Sequence, residues 1–170
     1  WELVNAMLSS YQNRDYISTS TLVSHCTRAD VIKRKEDYVE DLANLYVPFR
    51  GTMLHQVLEN YAHEGAIAEA RFFTEVGGEE VSCSPDHLTK TRLTDWKVTE
   101  SPPQYNNPWA NHAEQVQFNA FIVRNAHTVD SGRDTGWRHL PFDPRKEVAK
   151  ELALVYLGPK FPKVLMVERT

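Results

Sequence analysis

The chain has 170 residues, 41% of them hydrophobic and 25% charged, with a formal net charge of −4. That suits one soluble globular domain over 1–170 with a real core, and no apolar run approaches the roughly 20 residues that span a bilayer. The net acidity neither marks nor excludes a nucleic-acid binder, because acids gathered around a metal lower the total while lysines and arginines elsewhere form a local basic track.

The N-terminus shows no basic segment followed by an apolar core, so no signal peptide is read, and the chain begins at Trp1 as a trimmed or excised domain would. Cys26 and Cys83 are far apart and lack ligand spacing. They suit a reducing compartment and argue against a disulfide framework or a cysteine-built zinc site.

In chain order, ISTSTLVSHCTRADVIKRK at 17–35 opens as a helix start. Ser18 or Ser20 can cap it, Leu22, Cys26 and Ala29 make a modest apolar stripe, and the basic cluster Arg28, Lys33, Arg34 and Lys35 follows. A clearer helix is predicted over roughly 52–64, where Leu54, Val57, Leu58 and Tyr61 repeat at i, i+3, i+4 and i+7 and Gly65 is the stop. Three strand-like runs come next: ARFFTEV, EEVSCSPDHL and TRLTDWKVT, with turns at Gly77-Gly78 and Thr89-Lys90.

The proline- and asparagine-rich SPPQYNNPWA is a loop. NHAEQVQFNAFIVRNA then reads as a helix, with Asn111 and Glu114 as a capping box, apolar nearly all round and so buried. SGRDTGWRHLPFDPRKEVAK is a polar excursion with at most a turn of helix, and ELALVYL and KVLMVER close the chain as two strands. Helices, a three-strand meander, a buried helix and two final strands predict an α/β sandwich around a mixed sheet.

The stretch PDHLTKTRLTDWK, 85–97, carries the chemistry. Side chains alternate along a strand, so Asp95 and Lys97 share one face and Trp96 takes the other. If the preceding strand pairs with this one, Asp86 lies beside Asp95. Two carboxylates at close range repel unless a cation sits between them, and a divalent ion is the natural occupant. Lys97 would then hold or help deprotonate a water attacking phosphorus. Taken alone the pattern also fits a solvated hairpin, since such spacing arises by chance about once in a chain of this size.

Two further features bear on that choice. His55 and Glu59 are four apart on one helical face, and Gln117 lies on an apolar helix where it needs hydrogen-bond partners.

With ISTSTL, GTMLHQVLE, an acidic strand around Glu75, PDHL…LTDWK and QFNAF in this order, the sequence resembles the PD-(D/E)XK nuclease superfamily, in its RecB-like, phage-type exonuclease branch. The resemblance covers roughly 17–124 and the closing strands. It implies a restriction-endonuclease-like core, a central mixed sheet flanked by helices. It implies His55, Asp86, Asp95 and the backbone carbonyl of Trp96 as ligands of Mg²⁺ or Mn²⁺, Lys97 as catalytic lysine, and Gln117 as the residue that orients the lysine or the DNA end. The supporting acid stays open among Glu75, Glu79, Glu80 and Glu59. Phe121 stands where the family has Tyr, and two cysteines cannot build the iron–sulfur cluster of some relatives, so none is expected.

The function so implied is a metal-dependent deoxyribonuclease, an end-directed exonuclease of recombination or repair acting on DNA. The resemblance further suggests a cytoplasmic setting and a strand-annealing recombination protein as a partner. Lys90 and Arg92 beside the hairpin, with the cluster Arg28, Lys33, Arg34 and Lys35, are the candidate DNA track. A binding module that kept the fold without its chemistry, and an endonuclease on the same core, are the alternatives.

Overall fold

A computed structural model of the chain describes residues 16–23, 32, 42–60, 64–130, 136–146, 149–160 and 162–169. The order is β1 (Ile17–Ser18), α1 (Thr19–Leu22), α2 (Leu42–Glu59), β2 (Arg71–Val76), β3 (Glu79–Cys83), β4 (His87–Leu88) and β5 (Arg92–Val98). Then come α3 (Ala110–Asn125), β6 (Thr128–Asp130), a 3₁₀ turn at Trp137–His139, β7 (Glu151–Leu157) and β8 (Lys163–Val167).

The strands form two mixed sheets flanked by helices, ordered β1-β3-β2-β6 and β4-β5-β7-β8. In the first, β2 and β3 are an antiparallel hairpin around Gly77 and Gly78, both at positive φ that a glycine adopts without strain. In the second, β5 and β7 run parallel with Lys97 beside Tyr156, which requires the long crossover that α3 supplies. β4 is tied to the segment before β2, where the backbones of Ile67 and Leu88 exchange hydrogen bonds of 2.8 and 2.7 Å. The core between them and α3 includes Phe72, Val81, Leu93, Val116, Ile122, Leu152, Leu154 and Tyr156.

Several elements differ from their sequence readings. Ser18 does cap a helix, accepting from the Thr21 amide at 3.3 Å. Residues 24–31 and 33–41, with Cys26, Arg28, Lys33, Arg34 and Lys35, lie outside the described residues. α2 starts at Leu42 rather than near 52 and runs through Pro48, which costs one backbone bond without ending the helix. α3 begins directly after Trp109, so Asn111 lies inside it and makes no capping box. Nor is α3 buried all round: Val116, Asn119, Ala120, Ile122 and Val123 face inward while Phe118 and Phe121 are exposed. β6 was not foreseen; three residues after a helix give too short a pattern to read. Among the described residues no helix is long and apolar enough to cross a membrane.

Candidate metal centre

The site forms where β4 stops short. β4 pairs with β5 only at His87 with Thr94 and Leu88 with Leu93, so among the described residues that edge of β5 has no strand partner from Asp95 onward. Asp86 fills the gap with its side chain, and its Oδ2 accepts a short hydrogen bond from the Trp96 amide. The N–H and C=O of one strand residue leave by the same edge, so the Trp96 carbonyl opens on the same space. Asp86 and Asp95 are both buried.

α2 packs against β5 and delivers His55, whose Nδ1 lies 3.1 Å from Asp86 Oδ1 and 3.6 Å from Glu69 Oε1. The His55 ring also meets Trp96 edge-on, at a centroid distance of 6.0 Å. Glu69 occupies the left-handed region at φ 53°, unusual for a non-glycine residue. It is pinned there because its amide donates to the Pro85 carbonyl at 3.2 Å and the Ser84 hydroxyl donates to its carbonyl at 2.8 Å. The ligand atoms of His55, Glu69 and Asp86 all lie within 4.8 Å of one another.

The electrostatics favour positive charge at this point. Burial works against a charged His55, but the Asp86 and Glu69 carboxylates facing the imidazole outweigh it and raise it to about 10. Burial is also the main reason that Asp86 rises to about 6, reinforced by Asp95 and opposed by His55 and the Trp96 amide. Among the described residues, the buried oxygens Glu69 Oε1, Asp95 Oδ2 and Asn119 Oδ1 accept no hydrogen bond, and the two carboxylate oxygens have only a cationic side chain nearby, His55 and Lys97 respectively. An oxygen-rich set with one imidazole fits a hard divalent ion, with the nitrogen leaning toward Mn²⁺.

Lys97 reaches Asp95 Oδ2 at 2.8 Å, an ion pair without hydrogen-bond alignment, and donates to Gln115 Oε1 at 2.7 Å. Asn119 Nδ2 lies 3.5 Å from Asp95 Oδ1. His112, Gln115 and Asn119 thus form one face of α3, at i, i+3 and i+7, turned toward Asp95 and Lys97. Burial, with Lys97 nearby, lowers His112 to about 4.

The sequence-predicted residues sort as follows. His55, Asp86, Asp95, the Trp96 backbone and Lys97 come together. Gln117 does not: two residues along a helix turn the side chain about 200°, and its Nε2 donates to the Glu168 carbonyl at 3.2 Å. Gln115 stands at the lysine instead. Glu59 is exposed at the end of α2. Glu75 is exposed and pairs across the hairpin with Glu80, next to Glu79 at the turn. Six residues of extended chain, about 20 Å, separate Glu75 from Glu69. The acid at the site is Glu69, which precedes β2 in irregular backbone and had no periodicity to betray it. Arg92 is engaged by Glu151, at 2.8 Å from Nε and 2.7 Å from Nη2, and Lys90 lies in the turn beside it.

No family model matches the sequence, and no curated protein matches it. Solved structures do. One is the crystal structure of SSO0001, 16% identical, with a TM-score of 0.65 over 98% of this chain and 75% of that one. At that identity the likeness concerns the α/β fold alone.

Proposed function

We propose that this chain is a divalent-metal-dependent deoxyribonuclease with a restriction-endonuclease-like core of the PD-(D/E)XK, RecB-like type, acting from DNA ends. The observation that carries the reading is the Asp95–Lys97 ion pair on one face of β5, directly beside the contact of His55 with the buried Asp86. A hairpin with surface charges would leave these groups in water, whereas Asp86 and Asp95 are 5% and 3% exposed.

His55, Asp86, Asp95, Glu69 and the Trp96 carbonyl would hold Mg²⁺ or Mn²⁺. When bound, such an ion supplies positive charge to a phosphate oxygen and lowers the pKa of a water. Gln115 and Asp95 fix the Lys97 ammonium, which orients the attacking water and offsets charge growing on the phosphoryl group. His112 and Asn119 complete the polar wall behind the lysine. Hydrolysis joins the water oxygen to phosphorus, breaks one P–O ester bond and leaves a phosphate and a hydroxyl end. A strand-annealing protein would be a fitting partner for an enzyme that exposes single strands.

Digestion of linear and closed-circular DNA with Mg²⁺, Mn²⁺ or chelator tests the proposal. Metal-dependent loss of linear DNA alone is the expected result. Equal loss of circles would make the chain an endonuclease, and no cleavage with either metal would leave a binding module.

A further inference from the structure

A row of rings leads away from the polar wall. Trp109, the residue before α3, continues the stripe of His112, Gln115 and Asn119 one turn toward the N-terminus. Its ring lies 5.1 Å from His112 and 5.6 Å, edge-on, from Tyr156. His112 in turn stacks on Tyr156 at 5.6 Å, with Nδ1 3.1 Å from the phenol oxygen. The Trp109 amide donates to that same oxygen at 3.3 Å. Tyr156 is wholly buried beside Lys97 in the β5–β7 register, so the row is rooted in the core next to the reacting groups.

Its outer end is open. Trp109 remains 41% exposed although held from below by two rings. The loop leading into it is fixed as well: Lys163 Nζ donates to the carbonyls of Pro103 and Tyr105, each at 2.8 Å. An indole braced by two rings and still 41% exposed loses less side-chain freedom on binding than an unsupported one. Six residues of helix place Trp109 about 9 Å along the axis from Gln115. Stacked nucleotides advance about 3.4 Å each, so this is a span of two to three nucleotides.

We propose that the Trp109–His112 ledge stacks an unpaired nucleobase of the strand whose phosphate lies at Lys97. The inference rests on the nuclease reading and adds to it a substrate class, a single-stranded or frayed end. A base pair inside a duplex has both faces covered by its neighbours, whereas a splayed base gains about 1–3 kcal/mol on an aromatic platform, whatever its identity. The ledge is built from aromatic rings, which sets it apart from a phosphate contact.

Binding of an oligo-dT strand, and of an otherwise identical strand of abasic sugar-phosphates, tests this by fluorescence anisotropy with Ca²⁺ as the divalent ion. Trp109→Leu keeps the apolar contact with Tyr156 but removes the π-face, and Trp109→Phe keeps both. The expected result is at least about five-fold weaker binding of oligo-dT by Trp109→Leu, with Trp109→Phe within about two-fold of wild type. The abasic strand should bind wild type and Trp109→Leu alike, and the salt dependence should keep its slope because no phosphate contact is lost. Equal losses on both strands, or full oligo-dT affinity in Trp109→Leu, would overturn the ledge while leaving the nuclease reading intact. Wild-type protein that binds neither strand and cleaves no DNA would remove the nuclease reading and the ledge with it.

Discussion

Of the two glutamines in EQVQF, only one faces the lysine, and truncating each in turn separates the polar wall around Lys97 from a helix surface. In Gln115→Ala the Lys97 ammonium loses its 2.7 Å acceptor while keeping Asp95 at 2.8 Å. A hydrogen bond to a charged group is worth about 1.5–3 kcal/mol. With one anchor remaining, the lower figure applies to the cleavage step and corresponds to about a ten-fold fall in rate, with about 100-fold as the ceiling. Gln117→Ala removes a neutral bond to the Glu168 carbonyl at the edge of the molecule. Its expected cost is about 0.5–1.5 kcal/mol in stability, with cleavage unchanged. Single-turnover cleavage of a linear duplex at saturating Mn²⁺, together with urea melts, reads both quantities. An equal fall in both variants, or a slow step in Gln117→Ala alone, would refute the placement of Gln115 in the site.

Other expectations follow from the same geometry. Asp86→Ala combined with Asp95→Ala should abolish Mn²⁺ binding in calorimetry, and unchanged affinity would sink the centre. Lys97→Ala should bind metal and DNA nearly as wild type while kcat falls about 10²-fold or more; a near-wild-type single-turnover rate would return PDHLTKTRLTDWK to an ordinary hairpin. His112 should make stability depend on acid. Held near 4 by burial and Lys97, it stays neutral where the unfolded chain, with the ordinary value of 6.5, takes up a proton. The His112 contribution to stability should therefore drop as pH falls from about 6.5 to 4, by about 1–2 kcal/mol once screening of this partly exposed ring is allowed for, while the raised Asp86 works in the opposite sense below about 6. The difference in urea midpoint between wild type and His112→Gln, taken at pH 7 and at pH 4.5, isolates the His112 contribution, and a difference that does not change with pH would refute it.

What the sequence made legible was local and periodic. Alternation along β5 put Asp95 and Lys97 on one face and the doubled glycine marked the β2–β3 turn, whereas His55 was singled out by the family resemblance and not by the α2 stripe, whose Val57 is exposed. The register of α3 was harder, because apolar residues surround both glutamines and the choice of face is made by the sheets it lies on. A usable signal was present: His112, Gln115 and Asn119 form a polar stripe at helical spacing, and Gln117 falls outside it. Pro48 hid the first turns of α2, since a proline ordinarily ends a helix reading. Glu69 could not be found by any periodic rule. It reaches the site through a left-handed turn held by Ser84 and Pro85, a contact between segments 15 residues apart.

Extending the two-residue register of β4 backward shows what keeps this sheet from zipping shut. His87 opposite Thr94 would place Asp86 against Asp95 and Pro85 against Trp96. A proline has no amide hydrogen to give, so the ladder cannot claim the Trp96 carbonyl even if the strands draw together. The same ring therefore acts as a doorstop. It holds a few ångströms of β5 backbone out of the sheet's own bonding, and the chain reserves by covalent structure, beside Asp86 and His55, a carbonyl that no ladder can take.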